Sequence, residues 1–212
     1  MCKNWPHFPI SVDGATGGLI GNTVLICGGY DGSFVDECYS LTSQKRSLVT
    51  HMSVARDFAV SIVLNDNILW VTGGYGDGIG RLASTEYVTI SGTIPGPDLP
   101  MALTGHAMVT INSTCSMVIG GYGGSYYGVY ASTFYYEHFE GDRINGPSLI
   151  QARRNHAAGI VTDEVTNENH VAVTGGNYVY EINDLDSVEI LQDGKWVQGK
   201  IDDLIYFGNF CF

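Results

Sequence analysis

Tyrosine and arginine are the side chains in this sequence best suited to making contacts, and both gather around glycine. Tyr30, Tyr75 and Tyr122 each follow a Gly-Gly pair directly, and Arg81 lies in the same glycine-rich run as Tyr75. Tyr126 and Tyr127 fall in Tyr122-Gly123-Gly124-Ser125-Tyr126-Tyr127-Gly128-Val129-Tyr130. Arg56, Arg153 and Arg154 stand in the segments that lead into the next apolar run. Tyr and Arg are enriched at binding hot spots, and rings spaced by Gly and Ser suit adaptable contacts. Arginines so placed could grip a carboxylate-rich peptide through paired hydrogen bonds. The competing reading has Arg56, Arg153 and Arg154 bridge adjacent blades by pairing with Glu86 or Glu189.

Bond-making chemistry has less to stand on. Six His are present, and His106 and His156 recur at one repeat position, where the second unit is read as having Phe58. A position shared by His and Phe reads as a packing position. No Gly-x-Ser-x-Gly elbow, HExxH or P-loop occurs. No CxxC or Cys/His cluster supports zinc. The carboxylates form no pair assignable as acid and base. The expectation is therefore a non-catalytic protein without metal or cofactor.

Cys27 and Cys38 flank a Gly-rich turn. If that turn joins paired strands, a disulfide is sterically allowed; two reduced strand cysteines are the alternative. The balance of 10 basic and 22 acidic residues gives −12, which argues against nucleic acid and anionic membrane surfaces as partners. No apolar run is long enough for a transmembrane helix. The N-terminus as given has no signal-peptide core. This places the chain in the cytoplasm by default, with an N-terminally truncated extracellular protein as the alternative.

The elements that must position these residues are marked by the glycines. There are 28 in 212 residues, about 13% against a usual 7% or so. Four Gly-Gly pairs end apolar runs: Gly28-Gly29, Gly73-Gly74, Gly120-Gly121 and Gly175-Gly176, spaced by 45, 47 and 55 residues. After each pair comes a second strand-like run: Asp36 to Leu41, Ser84 to Val88, Ser132 to Tyr136 and Ser187 to Leu191. Before each lies a small and apolar run: Gly14 to Ile20, Phe58 to Leu64, His106 to Ile111 and His156 to Val161. Runs of four to eight residues rich in Val, Ile, Tyr and Thr predict strands. Units of four strands about every 50 residues predict a β-propeller, with Gly-Gly where backbones approach closely.

The sequence resembles the kelch-repeat family across roughly residues 5 to 200. The apolar run before each Gly-Gly, the Glu86-Tyr87 type of third strand and Trp196 carry the resemblance. Arg56-Asp57-Phe58 and Arg153-Arg154-Asn155-His156 match the family's inner-strand entry, whereas the first three units lack the outer-strand Trp. The implied fold is an all-β, kelch-type propeller of about four blades, units roughly 5–50, 51–97, 98–147 and 148–200, followed by an apolar tail at 201–212. Kelch propellers resemble rings of six or seven blades, so an open or incomplete ring is expected, with self-association or completion by another segment. The resemblance implies a protein-protein interaction module whose post-Gly-Gly loops and inter-unit connections share one face. A propeller-scaffold enzyme, oxidase or glycan-acting, and a non-functional fragment are the alternatives.

Overall fold

The computed structural model describes residues 10–42, 45–124, 128–163, 165–178 and 184–199. The chain divides into two compact units, Met1–Thr104 and Gly105–Phe212. The described residues contain no helix, and none is long and apolar enough to cross a membrane. The apolar tail expected at 201–212 lies outside the described residues.

The first unit holds two four-stranded antiparallel sheets. Sheet 1 is β1 (Thr16–Ile20), β2 (Thr23–Cys27), β3 (Glu37–Leu41) and β4 (Arg46–His51), in chain order. Sheet 2 is β5 (Val60–Leu64), β6 (Ile68–Thr72), β9 (Thr85–Thr89) and β10 (Gly92–Pro95). Between β6 and β9, a two-residue ribbon pairs β7 (Tyr75–Gly76) with β8 (Gly80–Arg81). The second unit repeats the pattern. Sheet 3 is β11 (Ala107–Thr110), β12 (Cys115–Ile119), β13 (Thr133–Glu137) and β14 (Arg143–Asn145). Sheet 4 is β15 (Ala157–Thr162), β16 (Asn169–Thr174), β17 (Val188–Gln192) and β18 (Lys195–Gly199).

Local sequence explains the meander. Asp193 and Gly194 form the two-residue β17–β18 turn with φ of 48° and 72°, the mirror-image turn that Asp-Gly favours and that matches strand twist. The second strand of each sheet is apolar on both faces. In β6, Leu69 and Val71 enter the core between sheets 1 and 2, with Ile20, Leu25, Met52 and Val88. Trp70 is buried on the other face and donates its indole N–H to Thr85 Oγ1 at 3.0 Å. In the second unit, Met117, Ile119, Leu149, Val171, Val173 and Trp196 form the corresponding core. A strand buried on both faces reads as a continuous apolar run, as in β6, β12 and β16; β2 buries Leu25 and Cys27 fully and Val24 and Ile26 in part.

Each timed Gly-Gly is a steric requirement. Gly74 has φ of 96°, and a Cβ there would stand 2.5 Å from the Asp57 carbonyl. Gly120 has φ of 59°, and its Cβ would stand 2.6 Å from the Arg153 carbonyl. Only a residue without a side chain fits both the conformation and the approach. Gly18, outside the four pairs, has a related role. It lies in β1, where a Cβ would meet Val63 at 2.5 Å and Leu69 at 2.8 Å, so it lets sheet 2 pack closely on sheet 1.

Two sequence readings need correction. Arg56 and Arg153 are not surface contact residues: both are among the largest fully buried side chains. The His/Phe register is also shifted by one. Gly14, Phe58, Gly105 and Asn155 share the positive-φ position two residues before β1, β5, β11 and β15. His106 and His156 therefore match Ala15 and Ala59, not Phe58. Phe58 fills a backbone position at which two of its three counterparts are Gly.

Candidate functional site

The arginine entry of sheet 2 shows how the loop face is built. The Arg56 guanidinium, its side chain 0% exposed, donates to Glu86 Oε1 at 2.8 Å. It also donates to the carbonyls of Gly73 and Ser84 at 2.9 and 2.8 Å. Glu86 in turn accepts the backbone N–H of Ser53 at 2.7 Å and of Val54 at 3.3 Å. Burial pulls the Arg56 guanidinium below its ordinary range, and Glu86 draws it back. Sheet 4 repeats this unit. Arg153 donates to Glu189 at 2.6 Å and to the Gly175 and Ser187 carbonyls at 2.9 and 3.2 Å. Glu189 accepts from Ile150 and Gln151 at 2.6 and 3.0 Å. A buried charge pair fixes geometry more than it adds stability; the Arg56 Nε–H also donates to the Val54 carbonyl, whereas Arg153 Nε has no hydrogen-bond partner among the described residues. These pairs clamp the connection onto the carbonyl of the first Gly, which aims the loop that follows.

With that clamp in place, the first unit presents an aromatic rim. Tyr30 and Tyr75, each just after a Gly-Gly pair, are 43% and 42% exposed. Phe34 lies between them, its ring centroid 5.3 Å from that of Tyr30 and 5.9 Å from that of Tyr75. Phe58 is 52% exposed at φ of 47°. A bulky side chain in the left-handed region costs free energy, and such strain concentrates at functional positions. Its N–H donates to the Gly14 carbonyl at 2.9 Å, which sets the entries of sheets 1 and 2 side by side.

Two carboxylates stand in the same ladders. Asp13 exchanges backbone bonds with Tyr30 at 2.9 and 2.8 Å, and Asp57 with Tyr75 at 3.0 and 2.9 Å. Residues directly opposite in an antiparallel pair project to the same face, so each carboxylate shares a side with a tyrosine ring. Asp57 is 8% exposed, and its Oδ1 has no hydrogen-bond partner among the described residues. Burial, then the nearby charge of Asp13, raises its carboxyl above the usual range.

The loop side of the second unit differs. Tyr122 is buried, not an exposed anchor, and the Arg154 guanidinium lies 4.9 Å above its ring. Arg154 also donates to Asn177 Oδ1 at 2.8 Å. His106 and His156 are buried, and both ring nitrogens of His156 lack a hydrogen-bond partner among the described residues. Burial pushes His106 down to about 4; burial, Arg153 and His106 push His156 down to about 3. Both rings are neutral at physiological pH. The one group of three metal-ligating side chains among the described residues is Asp36, Glu37 and His51, where His51 Nδ1 and Asp36 Oδ1 already pair at 3.0 Å.

Of the expected contact residues, Tyr30 and Tyr75 are exposed and share one rim, Arg81 lies opposite Tyr75 and half-buried, and Arg154 is half-buried against Tyr122. Tyr126 and Tyr127 lie outside the described residues. Cys27 and Cys38 are opposite each other on β2 and β3 and are joined in a disulfide with Cα atoms 4.1 Å apart. Sequence reading missed Phe34, Phe58, Asp13 and Asp57 as a group. The signal was present, since Asp13-Gly14 and Asp57-Phe58 are the same repeat position.

No family model and no curated protein matches the chain. Among solved structures, that of YjhT is similar, at 16% identity with a TM-score of 0.74, covering 92% of this chain and 67% of that one. At that identity the likeness speaks to fold: the chain is all-β, built of four-stranded antiparallel sheets in a propeller-like pattern.

Proposed function

We propose that this chain is a kelch-type propeller module of about four blades that binds a protein or peptide partner without catalysis. It binds through the post-Gly-Gly loops and the connections on one face. The aromatic rim of Tyr30, Phe34 and Tyr75 carries this reading. Rings held partly in water on an ordered scaffold are the anchors that protein interfaces use. The Arg56–Glu86 clamp supports it by fixing the loops before a partner arrives, which lowers the ordering cost of binding. In this reading four blades form part of a ring, completed by self-association or by another segment. Selection from a displayed library of random peptides tests the function. Enriched peptides should lose at least tenfold in affinity with Tyr75→Ala. Failure to enrich any peptide above an empty support, or enrichment indifferent to Tyr30 and Tyr75, would refute it.

A further inference from the structure

Asp13 and Asp57 have no role in the fold that accounts for their placement. Each occupies the last position before the left-handed residue of an inner-strand entry, Gly14 or Phe58. The backbone ladders there are complete, with Asp13 paired to Tyr30 and Asp57 to Tyr75. The equivalent residues before sheets 3 and 4 are Thr104 and Arg154, so the repeat itself does not call for a carboxylate. A Cβ on Gly14 would lie 3.3 Å from Asp57 Cβ, which puts the Asp57 side chain against the Asp13-Gly14 segment. Two like charges are thereby brought together, and one, Asp57, is more than nine-tenths buried with an oxygen left unsatisfied among the described residues. Burying an unpaired carboxylate is costly unless a cation or donor arrives to meet it.

The surroundings specify what kind of cation. The ladder sets Asp13 on the same side as Tyr30 and Asp57 on the same side as Tyr75, and the Phe34 ring lies between the two tyrosines. Aromatic faces attract an organic cation, Arg guanidinium most often. Carboxylates take a guanidinium through paired hydrogen bonds. Asp31 and Asp77 add negative charge in the adjoining loops, and Arg81, opposite Tyr75, is the one Arg of those loops. The chain as a whole carries −12, which favours approach by a basic partner.

We infer that Asp13 and Asp57, flanked by Tyr30, Phe34 and Tyr75, form a recognition site for an arginine or lysine side chain of a basic peptide segment. This rests on the protein-binding reading and names the chemistry of the partner. It also reverses the carboxylate-rich peptide expected from the arginines, two of which are buried in internal pairs.

The full chain is titrated into three labelled peptides of equal length: alternating Arg and Gly, its citrulline counterpart, and its Glu counterpart. The Arg peptide should bind, and the other two at least tenfold more weakly. Asp57→Asn should weaken Arg-peptide binding at least tenfold, and Phe34→Ala at least threefold. Asp193→Asn removes the same charge from the β17–β18 turn and should change affinity less than twofold. Equal losses with Asp57→Asn and Asp193→Asn would mean diffuse attraction to an acidic protein and would overturn the site. Comparable binding of the Glu or citrulline peptide would also overturn it. So would calcium raising the melting temperature of the wild type but not of Asp57→Asn, while peptide affinity ignored Asp57. The two readings fail differently. Library selection that enriches Tyr75-dependent peptides lacking Arg and Lys sinks the cation site and leaves the binding function standing.

Discussion

The buried histidines of the second unit should make its stability depend on pH well above the range where carboxylates titrate. The perturbation is a shift from pH 7 to pH 5. Unfolded, each ring has its ordinary value of 6.5; folded, His106 sits at about 4 and His156 at about 3. The folded pKa values are depressed, so the unfolded chain binds more protons as pH falls through 6.5. Stability is therefore full above 6.5 and is lost progressively toward the folded values. Integrating proton uptake between pH 7 and pH 5 gives a loss of about 2 kcal/mol per ring, or about 4 kcal/mol for both. Other groups contribute. His138 is also lowered by burial and adds to the loss, whereas His51 is raised, chiefly by its bond to Asp36, and opposes it. The readout is thus the difference between the wild type and a His106→Ala/His156→Ala variant, which copies Ala15 and Ala59 of the sister sheets. Urea midpoints at pH 7 and 5, followed by far-ultraviolet circular dichroism, should show the wild type losing about 4 kcal/mol more than the variant. Cavities will lower the variant's stability at both pH values without altering that difference. Equal pH dependence in the two proteins would refute the claim that these rings are held neutral by burial.

Other consequences are equally measurable. Arg56→Met alone strands the Glu86 carboxylate and should cost about 3–5 kcal/mol by urea denaturation. Arg56→Leu with Glu86→Phe, the residues Leu103 and Phe134 that stand at these positions in the third repeat, should recover most of that loss. Phe58→Gly relieves a left-handed aromatic and should stabilise the chain by about 1 kcal/mol while weakening binding of a selected peptide, separating strain from packing. Mass mapping without reductant should recover Cys27 and Cys38 in one linked pair, and replacing both with Ala should cost about 3 kcal/mol from the released loop.

Much of the fold was legible because its cause is local. The second strand of each sheet is apolar and largely buried and ends in a Gly-Gly held at positive φ, so apolar runs and glycines recur together. The arginine struts were legible as alternatives, and sequence did not choose between Arg56 in solvent and Arg56 on Glu86. Burial decides that, and burial is a property of the whole connection between β4 and β5. The site was harder to read. The rim joins Tyr30 and Phe34 in one loop to Tyr75 in another loop, and ring spacing in sequence carries no information on such proximity. The Phe58 register failed for a definite reason: side-chain type suggested a match to His106 and His156, whereas positive φ assigns it to Gly14, Gly105 and Asn155.

The central claim is that a partner docks on the loop face of the first unit. Amide chemical shifts of the isotope-labelled chain, recorded with and without a library-selected peptide, test it most directly. Perturbations should concentrate in residues 28–36, 55–58 and 73–83, with Phe34 and Tyr75 among the largest. Perturbations confined to the opposite turns, such as β1–β2 at Gly21-Asn22 and β5–β6 at Asn65-Asp66-Asn67, would contradict it.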